Sequence, residues 1–239
     1  RIVIGHDVRH FSMHFCRLAA STWDHLGGYS MIFDGPRSTP QLSYSVRRRF
    51  THAGIVITAS HNPPHDNGFK AYFVDGAQVS PPHDRAIIDR YSKISLEETV
   101  PCVESLRQKP ESSFNTLPSV DDLAYRSILE EAVLDVDLLK ARCPKIVFTP
   151  IHGTGAVSAI PALRDHGVEA ASVEEQSKQN PNFPSVDSPN PENPAAFKMG
   201  ISLAKKIKAK AVLATDPDCD RLGVATLDDR GRYRCLTGN

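Results

Sequence analysis

The chain has 239 residues, of which 40% are hydrophobic, and this length predicts one or two globular domains. Its 28 basic and 28 acidic residues cancel, so the net charge gives no indication of a nucleic-acid partner or a membrane surface. No apolar run approaches the roughly 18 residues of a membrane span, and no secretion signal is recognisable. The five cysteines are scattered without a CxxC pair, which favours a reducing, cytoplasmic location.

The first half of the chain alternates short apolar runs with stretches of helical periodicity. Strands separated by helices generally lie parallel in one sheet, so this alternation predicts an α/β domain. Asp121 is predicted as the N-cap of a helix that reaches about residue 134 and continues to about 141 after a break. The other predicted elements are strands over 1–5, 29–33, 54–58 and 68–74, helices over 13–27, 40–50 and 84–94, and a proline- and serine-rich loop over 99–120.

The second half repeats the alternation of strand and helix. We therefore predict two consecutive α/β domains with mixed, mostly parallel sheets, divided into residues 1–137 and 138–236. A long loop rich in proline and asparagine, 176–194, interrupts the second domain. The remaining predicted elements are strands over 145–149, 169–173, 211–214, 222–227 and 233–236, and helices over 157–165 and 195–208.

A serine with polar neighbours follows the apolar strand that ends near residue 58. Ser60 is surrounded by turn-forming residues, and a plain hydroxyl needs a base or a pre-loaded group to react. The hydrolase pattern GxSxG is absent, which favours a serine that stores a phosphoryl group, with Lys70 supplying positive charge or a proton. The alternative is a polar turn with a capping serine. Zinc binding by His61 and His65 would need a helix, which Pro63 prevents.

Three alternate carboxylates follow another apolar strand. Asp216, Asp218 and Asp220 offer hard oxygen ligands of the kind that Mg²⁺ or Ca²⁺ prefers. An EF-hand loop is excluded, because Arg221 and Leu227 stand where it needs glycine and glutamate. A phosphatase nucleophile at Asp216 and an acidic solvated turn compete with the cation site as interpretations. Phosphoryl transfer needs charge neutralisation, and a phosphate on the serine would give the three carboxylates a fourth oxygen ligand.

These motifs resemble those of the α-D-phosphohexomutases, and the resemblance covers nearly the whole chain. Residues 54–63 with 67–70 are similar to the family's phosphoserine loop, and 216–221 to its magnesium loop. Residues 149–155 and 189–192 resemble the phosphoglucomutase and phosphopentomutase branch. The resemblance implies four domains around one cleft, of which this chain holds the first two as three-layer α/β units.

The resemblance also implies that the chain is the N-terminal half of a longer protein. The chain begins at Arg1 inside a strand-like run and stops at Asn239 without a closing helix, which agrees with this expectation. Residues 237–239 are similar to the entry into the third domain. The family's N-terminal arginine-bearing strand and its third and fourth domains are missing, so the fragment is not expected to turn over alone.

The same resemblance implies catalytic, phosphate-binding and metal-binding roles for individual residues. Ser60 is implied as the phosphoryl donor and acceptor, Lys70 as the general acid or base, and His61 as a neighbour that orients or protonates. The implied phosphate-binding residues are Arg9, Arg221 and His152. The implied ligands of Mg²⁺ are Ser60, in its phosphorylated form, with Asp216, Asp218 and Asp220.

The implied activity is an intramolecular phosphotransferase that interconverts hexose 1-phosphate and hexose 6-phosphate, with glucose as the first guess. It would use Mg²⁺, with glucose 1,6-bisphosphate as activator and a phosphosugar as partner, and neither nucleic acid nor membrane. A phosphopentomutase, a phosphomannomutase or a phosphoglucosamine mutase is the alternative within the class. A non-catalytic Mg²⁺-binding or assembly module and a divalent-cation sensor are the alternatives outside it.

Overall fold

The computed structural model describes residues 1–133 and 135–236, and the elements named below lie within them. The first part of the chain contains one sheet and its helices. Its strands are β1 (Ile2–His6), β2 (Ser30–Ile32), β3 (Ala53–Ile57) and β4 (Phe69–Phe73). Its helices are α1 (Ser12–His25), α2 (Thr39–Arg48), α3 (His83–Tyr91), α4 (Leu96–Gln108), α5 (Val120–Leu129) and α6 (Val136–Arg142).

The first sheet has the strand order β2-β1-β3-β4. β1 pairs in parallel with β2 and β3, and β4 runs antiparallel to β3. Helices cover both faces: Ile4 of β1 lies in one buried cluster with Ala20 of α1, and Val3 lies in another with Leu42 of α2. A strand buried on both faces reads as a continuous apolar run, which is why the sequence shows one here.

The second part of the chain forms a separate sheet with the order β6-β5-β7-β8-β9. β5 is parallel to β6 and β7, whereas β8 and β9 are antiparallel additions. The predicted pair of α/β domains with mixed sheets is therefore confirmed, although parallel pairs outnumber antiparallel ones only in the first sheet. The elements are β5 (Ile146–Thr149), α7 (Ala159–Asp165), β6 (Ala170–Ser172), α8 (Glu174–Ser177), α9 (Lys198–Ile207), β7 (Ala211–Thr215), β8 (Leu222–Leu227) and β9 (Tyr233–Cys235).

The prediction of a loop over 99–120 is wrong for its first half, where α4 forms. Ser95 and Glu98 make a capping box, in which the Ser95 hydroxyl accepts from the Glu98 amide at 3.3 Å and the Glu98 carboxylate accepts from the Ser95 amide at 2.8 Å. Leu106 of α4 packs against the cluster that contains Ala20 of α1. Capping and packing together hold the helix despite Pro101 within it.

The prediction that Asp121 caps a helix is also wrong. Asp121 is the second residue of α5, is 1% exposed, and its carboxylate pairs with the guanidinium groups of Arg48 and Arg49. The helix ends at Leu129, residue 134 lies outside the described residues, and α6 is capped instead by Asp135.

The predicted domain boundary between residues 137 and 138 falls within α6 and stays a prediction. The predicted entry into a third domain, 237–239, lies outside the described residues. Among the helices that the structure describes, none combines the length and apolar character needed to cross a bilayer.

Candidate active site

Two loops that are far apart in sequence meet at one site between the two sheets. The serine loop (residues 58–68) follows β3, and the aspartate loop (residues 216–221) follows β7. Ser60 Oγ donates a hydrogen bond to Asp216 Oδ2 at 3.1 Å. The Ser60 hydroxyl is therefore in direct contact with a carboxylate of the aspartate loop.

The backbone of the serine loop is held in an uncommon conformation. Ser60 has a left-handed φ of 53°, and its amide donates to Thr58 Oγ1 at 2.9 Å. The Thr58 amide in turn donates to the Gly68 carbonyl at 3.0 Å. A Cβ atom on Gly68 would lie 2.6 Å from the Thr58 oxygen, so only glycine allows this close approach. Left-handed non-glycine residues persist only where their surroundings fix them, and they concentrate at functional sites.

Arg9 does not take the predicted phosphate-binding position. It is 3% exposed, and its Nε donates to the buried Asp7 carboxylate at 3.1 Å. The other four N–H groups donate to main-chain carbonyls of the serine loop, so no donor is left to reach a phosphate. The acceptors are Ser60 (2.6 Å), Asn62 (2.7 Å), Pro63 (2.6 Å) and Asp66 (3.0 Å).

The aspartate loop curls so that its alternate carboxylates face one point. Asp216 and Asp218 are fully buried and Asp220 is exposed, and one oxygen from each lies within 4.8 Å of the others. The curl depends on Cys219, which adopts a left-handed φ of 58°, and on amides of Asp220 (3.2 Å) and Arg221 (3.0 Å) that donate to Asp216 Oδ1.

The buried carboxylates differ in acidity. Burial, reinforced by the neighbouring Asp218 carboxylate, raises the pKa of Asp216 to about 8. Burial acts on Asp218 in the same direction, but the Lys70 ammonium and the hydrogen bonds to this carboxylate outweigh it and lower the pKa of Asp218. Asp218 Oδ1 is buried and has no hydrogen-bond partner. An unpartnered buried carboxylate oxygen among three acidic groups fits a bound divalent cation.

Lys70 belongs to the same cluster. The antiparallel register of β4 places it opposite Val56, near the end of β3, and its Nζ lies 2.9 Å from Asp218 Oδ2 and 3.2 Å from Asp220 Oδ2. Burial disfavours the charged ammonium, but the two carboxylates outweigh burial and raise the pKa of Lys70. Lys70 is therefore protonated at neutral pH and can donate a proton.

His61 lies beside the serine hydroxyl, with its Nδ1 atom 3.4 Å from Ser60 Oγ. Burial and the nearby Arg221 guanidinium lower the pKa of His61. The neutral imidazole therefore predominates near pH 7 and can accept a proton. Arg221 pairs with Glu192 at 3.2 Å, and its guanidinium is near enough to lower the pKa of His61, so its charge acts on the same site.

His152 does not take the phosphate-binding position that the resemblance implies. It is 1% exposed, its Nδ1 lies 2.9 Å from the Lys178 carbonyl, and its Nε2 lies 2.8 Å from Ser185 Oγ. Both ring nitrogens therefore bind the long loop that follows α8. This is a buried structural contact and leaves no ring nitrogen for a phosphate.

Thr39 is a site residue that the sequence did not indicate. It begins α2, and its hydroxyl donates to Asp218 Oδ2 at 2.9 Å while its amide donates to the Asp218 carbonyl at 2.9 Å. A threonine at a helix start has no sequence feature that points to a carboxylate in another domain. The buried Asp7, which accepts from Thr58 Oγ1 at 2.7 Å, was equally unmarked.

Comparisons with known proteins agree with this geometry. The model of the phosphoglucomutase/phosphomannomutase α/β/α domain I matches residues 1–98, and that of domain II matches residues 124–230. The chain is 36% identical over 246 residues to a phosphoglucomutase of Staphylococcus aureus (strain MRSA252), and this alignment covers 100% of the chain and 42% of the relative. It is 33% identical over 253 residues to a phosphoribomutase of Saccharomyces cerevisiae, with 99% and 40% covered.

Solved structures show the same fold. A proposed phosphomannomutase from Thermus thermophilus superposes with a TM-score of 0.71 at 26% identity, covering 97% of this chain and 49% of that one. The chain thus spans less than half of the length of these relatives. It belongs to the phosphoglucomutase/phosphomannomutase family and matches the first two domains of that family.

Proposed function

We propose that the chain carries the phosphoserine and the metal site of a phosphosugar mutase, which interconverts a hexose 1-phosphate and a hexose 6-phosphate. Glucose phosphate is the first choice of substrate. The observation that carries the proposal is the 3.1 Å hydrogen bond between Ser60 Oγ and Asp216 Oδ2, which joins a nucleophile candidate to a buried carboxylate cluster. Phosphoryl transfer depends mainly on positioning and on neutralising oxygen charge, and both are available here.

The three aspartates fit a Mg²⁺ ion, which Asp216, Asp218 and Asp220 would hold together with a phosphate on Ser60. When bound, the ion would neutralise charge on the transferred phosphoryl group. Hydrogen bonds from Thr39 and from the loop amides fix the orientation of the Asp218 and Asp216 carboxylates. The protein therefore orients these ligands before a metal binds.

Proton transfer is assigned to two side chains of the cluster, Lys70 beside the aspartates and His61 beside the hydroxyl. In the forward half-reaction a sugar hydroxyl attacks phosphorus, the bond from phosphorus to Ser60 Oγ breaks, and Oγ gains a proton as the sugar oxygen loses one. Lys70, protonated beside Asp218, serves as the general acid in this direction and, once it has given up its proton, as the base in the reverse direction. Neutral His61, whose Nδ1 lies 3.4 Å from Ser60 Oγ, orients Oγ and can accept a proton. Arg221 contributes positive charge for the phosphate.

The sugar specificity and complete turnover are proposed for the longer protein, since the chain spans 42% of its phosphoglucomutase relative. The similarity to a phosphoribomutase makes a pentose phosphate the second candidate. Mannose and glucosamine phosphates remain further candidates within the class. A cytoplasmic location is kept as a prediction from the unpaired cysteines.

The test is phosphorylation of the chain itself. The chain is incubated with glucose 1,6-bisphosphate and Mg²⁺, and its intact mass is measured. One added phosphoryl group, lost in Ser60→Ala and retained in the surface control Ser92→Ala, supports the proposal. A folded chain that gains no group supports a non-catalytic binding or assembly module instead.

A cation titration separates the mutase from a divalent-cation sensor. Hard carboxylate ligands hold both Mg²⁺ and Ca²⁺, but a cation sensor would prefer Ca²⁺ and ignore phosphate. We expect Mg²⁺ binding that tightens when Ser60 is phosphorylated. A preference for Ca²⁺ without any dependence on phosphate would assign the site to sensing.

A further inference from the structure

The buried Arg9 side chain holds the serine loop through hydrogen bonds to the main chain of the loop. Its four Nη donor groups bind main-chain carbonyls of the loop, including that of Ser60 itself at 2.6 Å, and its Nε binds Asp7 at 3.1 Å. A planar guanidinium with every donor used fixes several carbonyls relative to one another. The position of Ser60 therefore depends on where this side chain is held.

The face of the Arg9 guanidinium is covered from the second domain. Phe183 places its ring centroid 5.3 Å from Arg9 Cζ and is 1% exposed. It belongs to the irregular segment between α8 and α9, here called the bridging loop (residues 178–193). A buried cation over an aromatic ring is a favourable contact that also sets the orientation of the guanidinium.

The bridging loop is fixed to its own domain by buried polar contacts. His152 binds Lys178 at 2.9 Å and Ser185 at 2.8 Å, and Gln176 Nε2 donates to the same Ser185 hydroxyl at 2.9 Å. Gln176, which is fully buried, also accepts from Thr149 Oγ1 at 2.7 Å. These contacts link the loop to the end of β5, so its tip moves with the second sheet.

The bridging loop contacts the first domain at two further points. Asn182 Oδ1 lies 2.8 Å from His10 Nε2, and Ser188 Oγ donates to the His61 carbonyl at 3.4 Å. Phe183 thus lies within a continuous contact between the bridging loop and the segments that bear Arg9 and Ser60.

We propose that Arg9 and Phe183 form a positioning pair. Through this pair, the second domain holds the serine loop of the first domain at a fixed position relative to the aspartate loop of the second domain. The proposal rests on the proposed function, because a metal shared by the Ser60 phosphate and the aspartates requires the two loops to keep a fixed separation. Neither residue touches the reacting atoms. Both act through the serine loop, and Arg9 has this role in place of the phosphate contact predicted from sequence.

The test compares two buried phenylalanines that each lie over a cation. Phe183→Leu removes the ring over Arg9, and Phe114→Leu removes the ring that lies 4.6 Å from Lys109 on the α1 and α4 side of the first sheet. We expect Phe183→Leu to slow Ser60 phosphorylation by glucose 1,6-bisphosphate about tenfold, with the half-saturating bisphosphate concentration unchanged. Phe114→Leu is expected to lower stability without this loss of rate.

A second readout does not depend on activity. Amide hydrogen exchange of peptides that cover 58–68 is expected to be about tenfold faster in Phe183→Leu than in the wild type, and unchanged in Phe114→Leu. If Phe183→Leu does not fold, Phe183→Met, which keeps most of the volume without the ring, replaces it.

The phosphorylation rate and the hydrogen exchange together distinguish failure of the positioning pair from failure of the proposed function. Equal exchange of 58–68 in Phe183→Leu and the wild type, or equal acceleration in both leucine variants, overturns the positioning pair. A wild-type chain that folds but gains no phosphoryl group overturns the proposed function, and the exchange data then still decide whether Phe183 orders the serine loop.

Discussion

Lys70 is the only cation that the structure places within hydrogen-bond distance of the aspartate-loop carboxylates, as far as the described residues show, and its removal makes a quantitative prediction. Its Nζ lies 2.9 Å from Asp218 Oδ2 and its side chain is 20% exposed, whereas Asp218 is fully buried. Removing one partner of a buried pair costs about 3–5 kcal/mol, because the other charge is left without compensation. Since Lys70 is partly solvated, we expect Lys70→Met to lower the free energy of unfolding by about 3 kcal/mol in EDTA.

A divalent cation is expected to reverse much of this loss. Equal binding of Mg²⁺ to both proteins would leave the difference unchanged, but the variant should bind Mg²⁺ more tightly because no ammonium competes for the carboxylates. Binding that is about thirtyfold tighter returns about 2 kcal/mol of the loss at saturating Mg²⁺. Urea unfolding of both proteins, with EDTA and with excess Mg²⁺, measures the difference. We expect it to shrink to about 1 kcal/mol or less with Mg²⁺.

Lys109→Met provides the matched control. Lys109 pairs with Asp24 at 2.6 Å and its side chain is 18% exposed, close to the value for Lys70, but it lies away from the aspartate loop. Its loss of stability should be the same in EDTA and in Mg²⁺. A Lys70→Met loss that Mg²⁺ leaves unchanged, or an equal rescue of Lys109→Met by Mg²⁺, would contradict a cation site at the aspartate loop.

Because burial raises the pKa of Asp216 to about 8, its contribution to stability is lost as pH rises from about 4 to 8. Asp216→Asn should therefore unfold at a higher temperature than the wild type in EDTA at pH 8.5 but not at pH 4, and a pH-independent difference would contradict this. Gly68→Ala should destabilise the chain by about 2 kcal/mol, because its Cβ would lie 2.6 Å from the Thr58 oxygen, whereas Gly35→Ala should be nearly neutral in thermal unfolding. His152→Ala should accelerate hydrogen exchange in 178–185 while leaving Mg²⁺ affinity within about twofold of the wild type, and a large loss of affinity would place His152 at the metal site instead.

The strands and the two loops could be predicted because their signals are local. An apolar run bounded by turn residues marks a buried strand, and a serine or aspartate cluster directly after such a run lies at the carboxyl edge of a parallel sheet. This is why the sequence alone could place Ser60 and Asp216 directly after strands. The sequence of neither strand predicts that the edges of the two sheets face each other.

The directions of individual side chains could not be predicted in the same way. Arg9 and His152 follow strands as Ser60 does, but their side chains point into the protein, where carbonyl groups of other segments use their donors. The contacts of Thr39 and Phe183 were equally unpredictable, because each residue contacts a loop that follows a strand of the other sheet. Such pairings depend on how whole helices, strands and loops pack together, and short sequence patterns do not predict this packing.

A single Mg²⁺ ion shared by the Ser60 phosphate and the aspartate loop is central to the proposed function. Calorimetric titration of Mg²⁺ into the phosphorylated and the unphosphorylated chain tests this directly. We expect about tenfold tighter binding to the phosphorylated chain, since a charged phosphate oxygen adds a ligand to the three carboxylates, and we expect Asp218→Asn to weaken both. Equal affinity in the two states, with the phosphoryl group confirmed by mass, would contradict it.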